Sequence, residues 1–126
     1  MLSVGRRLEW FLAAWCAFVV VASLLPYDSK RLTRTSGPLH HTVHIVAFAG
    51  VALGACARAH GRSWYTLLSV VGVTGLGALI ELLQHHFYGS AYEWRDVWDD
   101  GFGALVGSLA ASLIAVLIGT TRRDLS

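Results

Sequence analysis

Charge is what this sequence has least of. Only 14% of its 126 residues are Asp, Glu, Lys or Arg, against about 25% in an average soluble domain. The basic residues are scattered and the formal net charge is +2, which excludes the electrostatic footprint of a nucleic-acid-binding protein. Cysteine is nearly absent as well. Cys16 and Cys56 stand far apart, so neither a zinc ribbon nor a disulfide framework is available. Each lies in an apolar stretch, where a free cysteine packs as a small hydrophobe. The chain also lacks low-complexity segments, internal repeats and a polar appendage, and we read residues 1–126 as one domain.

Apolar runs fill the space that charge leaves. The composition is 55% hydrophobic, and a bilayer core of roughly 30 Å is crossed by about 20 mostly apolar helical residues. Four runs fit or nearly fit: WFLAAWCAFVVVASLLP (10–26), VHIVAFAGVALGACA (43–57), which is short and depends on its flanks, WYTLLSVVGVTGLGALIELL (64–83) and GFGALVGSLAASLIAVLIG (101–119). The first follows a basic GRR and has the outline of a signal peptide. It is longer than the roughly 7–15 residues of such a segment, and no A-x-A site follows, so it is read as a span. The expected fold is all-α: a bundle of four transmembrane helices at about 9–26, 41–59, 64–84 and 100–119. The polar, aromatic stretch 85–100 is expected to lie on the membrane surface, partly helical.

Basic residues near span ends set orientation. Arg6, Arg7, Arg58, Arg62, Arg122 and Arg123 fall on one side, Lys30, Arg31, Arg34 and Arg95 on the other. The excess places both termini inside and the loops after spans one and three on the extracytoplasmic side of a multi-pass membrane protein. Trp10, Trp64, Tyr65, Tyr88, Trp94 and Trp98 fit the interfacial aromatic belts.

In that topology the ionisable groups gather at one face. Span two starts there with His40, His41 and His44; span three ends there with Glu81, Gln84, His85 and His86; span four starts behind Asp96, Asp99 and Asp100. Helical spacing gives each span an inward stripe. Span two offers His41, His44, Ala47, Phe48 and Val51; span three Thr74, Gly77, Ala78, Glu81, Gln84 and His85; span four Asp96, Asp99, Asp100, Gly103, Gly107 and Ala110. Gly50 with Gly54 and Gly103 with Gly107 are small-xxx-small patterns, the signature of close helix packing in lipid. An ionisable side chain at mid-bilayer costs about 2.5–3.5 kcal/mol and normally faces the bundle interior with a partner. Glu81 carries that cost most directly, and Gln84 and a histidine are its expected partners.

Each group also has a plainer role. The three aspartates complement the start of span four as anions at a helix N-terminus, and His40, His41, His85 and His86 serve as interfacial polar residues. His40 with His44, and Glu81 with His85, have the i, i+4 spacing of a zinc chelate, with Asp96 or Asp100 as a further oxygen ligand. The glutamate of an H-E-x-x-H motif is missing, and no metal or cofactor is expected. The same residues are also of the types that run general acid–base chemistry.

At these residues the chain resembles the VanZ-like family of small bacterial membrane proteins. SLLP at 23–26 is similar to the end of that family's first span, and HHTVHIVAFAGVALG resembles its D-K-x-x-H-x-x-x-F segment. GALIELLQ resembles its G-x-x-x-E-x-x-Q, and WRDVWDDGFGALVG its W-x-D-x-x-x-N-x-x-G-x-x-x-G. The resemblance puts the family's motif residues on His44, Phe48, Glu81, Gln84, Asp96, Gly103 and Gly107. His40 and His41 stand where the family usually has aspartate and lysine, Ser90 near a frequent arginine, and Asp100 in place of asparagine. Any inherited charge network is therefore wired differently.

The family takes its name from a determinant of resistance to the glycopeptide teicoplanin, is associated with the bacterial envelope, and has no settled biochemical activity. The resemblance implies an envelope protein, and convergence of the three stripes at the outer mouth of the bundle predicts a polar pocket formed by His44, Glu81, Gln84, Asp96 and Asp100, flanked by His40, His41 and His85. The pocket would bind an envelope component or small ligand. Two alternatives stand beside it: an enzyme acting on a lipid-linked substrate, and an assembly partner whose polar network only locks the helices.

Overall fold

The computed structural model describes residues 4–25, 39–58 and 63–124. It is all-helical: α1 (Val4–Ser23), α2 (Leu39–Arg58), α3 (Ser63–Tyr88) and α4 (Trp94–Asp124). Stretches Leu39–Ala57, Trp64–Tyr88 and Trp94–Leu117 are long and apolar enough to cross a membrane, while the apolar part of α1 is the shorter Trp10–Ser23. The end of the first expected span, at Pro26, lies outside the described residues, as do Lys30, Arg31, Arg34 and Arg62. Only 28%, 22% and 33% of the three long apolar windows are buried. Leu67, Leu68 and Val71 on α3 and Leu109, Leu113 and Val116 on α4 all point outward. Water would not leave so much apolar surface uncovered, whereas lipid solvates it and demands in return the internally bonded backbone that helices provide.

The region 85–100, expected to be partly helical, is helical over most of its length. Helix α3 continues past 84 to Tyr88, α4 starts at Trp94 rather than 100, and only residues 89–93 are non-helical. Gly89 explains the sharp end. Its φ of 63° is left-handed, and its N–H donates to the His85 carbonyl at 3.1 Å, the capping geometry glycine adopts without a Cβ penalty. The next helix opens with the Asp96 N–H on the Glu93 carbonyl at 3.0 Å. Helix can begin this early because the polar residues of its first turns are answered by another helix, as described below.

Contacts at one end fix the helix directions. The Gln84 amide donates to the Ser23 carbonyl and the Tyr88 hydroxyl to the Leu24 carbonyl, so α1 and α3 end together. Helices α2 and α4 start at that same end, joined by His40 and Asp96. The helices therefore alternate in direction, and α2 and α4 run parallel. Their interface is the most extensive, followed by that of α3 with α4, and α1 rests on α2. Val19, Phe48, Val51, Ala52, Val73, Ile80 and Ala104 form the apolar core.

The glycines explain why α2 and α4 lie so close. A Cβ on Gly103 or Gly107 would strike the backbone carbonyls of Ile45 and Ala49. Gly50 and Gly54 lie against α1 instead, where a Cβ would meet the Trp15 ring and the Leu12 side chain. The Trp15 indole N–H donates to the Ala47 carbonyl at 3.2 Å. Lipid gives helices no hydrophobic reason to associate, so such close approach and interhelical bonding must hold them.

Candidate functional site

Parallel α2 and α4 bring three histidines against three aspartates. His40 Nε2 donates to Asp96 Oδ2 at 2.9 Å, His41 Nδ1 to Asp99 Oδ2 at 2.5 Å, and His44 Nδ1 to Asp100 Oδ1 at 2.7 Å. A four-residue step on α2, from His40 to His44, is matched by a four-residue step on α4, from Asp96 to Asp100. The pairing is therefore a consequence of helical register. The glycine contacts continue it one turn deeper, Ile45 on Gly103 and Ala49 on Gly107. Asp96 and Asp100 are only 4% and 2% exposed, so their bonds form where water competes least and an unmade bond costs most.

Neighbouring helices hold this cluster in place. Gly77 of α3 makes room for the Asp100 carboxylate, which occupies the space a Cβ would need. His44 lies parallel to the Phe48 ring, with centroids 6.1 Å apart and planes 4° apart. The His40 and His44 rings approach to 4.5 Å between centroids.

Glu81 sits beside the cluster with a different partner from the one expected. Its Oε2 accepts the backbone N–H of Glu93 at 3.0 Å. Helix capping boxes satisfy that N–H with the glutamate three residues on. The residue at that place is Asp96, which is turned to His40, and Glu81 of α3 supplies the carboxylate instead. Asp96 and His44 are still near enough to act on the Glu81 charge, and Glu81 is 4% exposed. Gln84 is bonded to the Ser23 carbonyl of α1. His85 is exposed and donates from Nδ1 to the Ser90 carbonyl.

The structure thus gathers His40, His41, His44, Asp96 and Asp100 into one cluster, sets Glu81 beside it, and places Gln84 and His85 on backbone carbonyls. Asp99, which the sequence placed on the inward stripe of span four but not among the pocket residues, is the partner of His41. A readable signal existed: H-x-x-x-H and D-x-x-x-D have the same step, as two parallel helices in register require. The backbone partners of Glu81, Gln84 and His85 had none, because a carbonyl or N–H carries no residue identity.

Two features give the cluster chemical capacity. Ligand atoms of His40, His44 and Asp96 all lie within 4.8 Å of one another, as do those of His41, Asp96 and Asp99. Glu81 and His85, the other spacing suited to a metal, face Glu93 and Ser90. The second feature is a cleft of about 140 Å³ between α1 and α2, walled by Phe18, Ala22, Val43, Ala47 and Phe48 and bordered by His40 and His44.

Comparison with protein-family models, with curated proteins and with solved structures gives no match for this chain.

Proposed function

We propose that this chain is a VanZ-like integral protein of the bacterial cytoplasmic membrane that binds a lipid-linked envelope component. All four helices cross the bilayer in this reading, both termini are cytoplasmic, and the histidine–aspartate end faces outward. The observation that carries it is the cleft between α1 and α2. Its walls are apolar while two histidines border it, which is the polarity of an amphiphile: chain along the walls, polar group at the imidazoles. At about 140 Å³ it is smaller than the roughly 300–1,000 Å³ of a drug-sized pocket, a size suited to one chain segment and part of a headgroup.

The binding reading is preferred to a purely structural role because a network that only locked helices would have no use for a cleft reaching His40 and His44. Acid–base catalysis remains the second reading, since imidazoles paired to buried carboxylates are competent proton carriers.

Lipid analysis of the purified protein tests the proposal. Mass spectrometry of the wild type in a mild detergent is expected to show one envelope lipid class enriched over the bulk membrane. Ala47→Phe, which fills the cleft wall, is expected to abolish that enrichment. Identical lipid profiles for the two proteins would remove the basis for the reading. Teicoplanin susceptibility of a deletion strain, complemented by either form, addresses the family trait.

A further inference from the structure

We propose that His40, His44 and Asp96 bind a divalent transition cation of the zinc class, with Asp100 fixing the ligating form of His44. The first support is geometrical. Asp96 Oδ2 lies 2.9 Å from His40 Nε2 and 3.9 Å from His44 Nε2. A tetrahedral ion with bonds of about 2.0–2.1 Å sets its ligand atoms about 3.3 Å apart, between those two distances. Small side-chain rotations close the difference, and the ion takes the place of the hydrogen that His40 Nε2 donates to Asp96 Oδ2, His40 then carrying its hydrogen on Nδ1.

The second support is the role of Asp100. Metal-bound histidines almost always donate their other ring N–H to a carboxylate or carbonyl, which fixes tautomer and ring orientation. His44 Nδ1 makes that bond to Asp100 Oδ1 at 2.7 Å. With the hydrogen on Nδ1, Nε2 turns an electron pair toward Asp96 Oδ2. Two electron-rich atoms then face each other at 3.9 Å, too far for a hydrogen bond and suited to a cation between them.

The third support is a buried oxygen without a partner. Asp96 is 4% exposed, and its Oδ1 has no hydrogen-bond partner among the described residues. Such an atom normally costs free energy unless something supplies a positive charge or a donor.

Ligand chemistry selects the ion. Two imidazoles and one carboxylate suit zinc and its neighbours, while calcium and magnesium prefer oxygen ligands. Three protein ligands leave a coordination position open, as in catalytic rather than structural zinc sites. The cleft reaches both histidines, so that position is within reach of its occupant. The alternative trio of His41, Asp96 and Asp99 offers a single imidazole and lacks a carboxylate placed behind it as Asp100 is behind His44. The spacing of His40 and His44 leaves the oxygen ligand open between Asp96 and Asp100, and packing against α4 decides it: Asp96 faces both ring nitrogens while Asp100 stands behind His44.

This proposal deepens the binding reading and rests on it only for the use of the open position. Metal content is measured without any lipid, and the Ala47→Phe experiment without any metal, so failure of either is seen separately.

The test is zinc content of the full-length protein in detergent, stripped with a chelator, reloaded with Zn²⁺ in excess Mg²⁺, and freed of unbound ion by gel filtration. Stoichiometric zinc is expected in the wild type. His40→Gln and Asp96→Asn are expected to lower affinity at least about tenfold, and Asp100→Asn by about 10–100-fold through the orientation of His44. His85→Ala and His86→Ala should leave it unchanged. Co²⁺ in place of zinc should give the visible bands of a tetrahedral site, lost in His44→Gln. Circular dichroism and monodispersity establish that each variant is folded, and the partly exposed His40 gives a variant that spares the core. A folded wild type that retains no zinc overturns the proposal. So does zinc binding that survives His40→Gln and Asp96→Asn but is lost with His85 and His86.

Discussion

On one side of α2, Gly50 and Gly54 receive the Trp15 ring and the Leu12 side chain of α1; on another, the carbonyls of Ile45 and Ala49 rest on Gly103 and Gly107 of α4. Both are glycine pairs one turn apart, yet they hold their neighbours by different means. A side chain lying over a glycine can rotate away when a methyl group is added. A backbone carbonyl cannot move without its helix. Helices α2 and α4 therefore form a rigid frame, extended upward by the three histidine–aspartate bonds, and α1 is a yielding wall laid against it. The cleft lies on the yielding side, and His40 and His44 on its border join it to the polar cluster of the rigid side.

The largest effect should come from breaking the frame. Gly107→Leu drives a branched side chain into the Ala49 backbone, and overpacking of this kind costs about 1–3 kcal/mol or more. Thermal unfolding in detergent should show it as a marked loss of stability. An unchanged transition would mean that α2 and α4 are not clamped. Asp100→Ala follows, because it strands the His44 Nδ1–H beside a buried site. An unmade buried bond costs about 1–3 kcal/mol, and Asp100→Asn, which keeps an acceptor oxygen, should recover most of it in the same assay.

Glu81→Gln tests the seam between α3 and α4. The amide oxygen can still accept the Glu93 N–H, so the loss is the difference between a charged and a neutral acceptor, about 1 kcal/mol. Gly50→Ala should cost less than about 1 kcal/mol, since Trp15 swings aside and gives up one neutral hydrogen bond. Its signature is a change in tryptophan emission with little change in unfolding temperature. If Gly50→Ala proves as damaging as Gly107→Leu, the contrast between wall and frame fails. Tyr88→Phe, at an exposed position, should fall within about 0.5 kcal/mol.

The helices were legible where apolar length alone decides, as for α2 and α3. They were misjudged where polar residues are hidden by partners. Asp96, Asp99 and Asp100 resemble a surface loop when read alone, so span four was expected from 100. In the structure they are the first turns of a helix that begins at Trp94. Helical periodicity placed His44, Glu81 and Asp96 on inward stripes, but a stripe gives direction and not depth or partner. That His44 meets Asp100 while Glu81 turns to the Glu93 N–H depends on the relative height of the helices. The glycine contacts and the short connector 89–93 set that height through three-dimensional packing.

The length of α4 has a mechanical consequence. Its 31 residues rise about 46 Å at 1.5 Å each, against a hydrocarbon core of about 30 Å. An upright helix of that length must project beyond the core at one end or both, and tilting shortens the projection. Because α2 is seated on α4 through Gly103 and Gly107, the two tilt as a single beam. In a bilayer, such a beam would carry the histidine–aspartate end to a depth set by the membrane's thickness, coupling its access to water to the surrounding lipid.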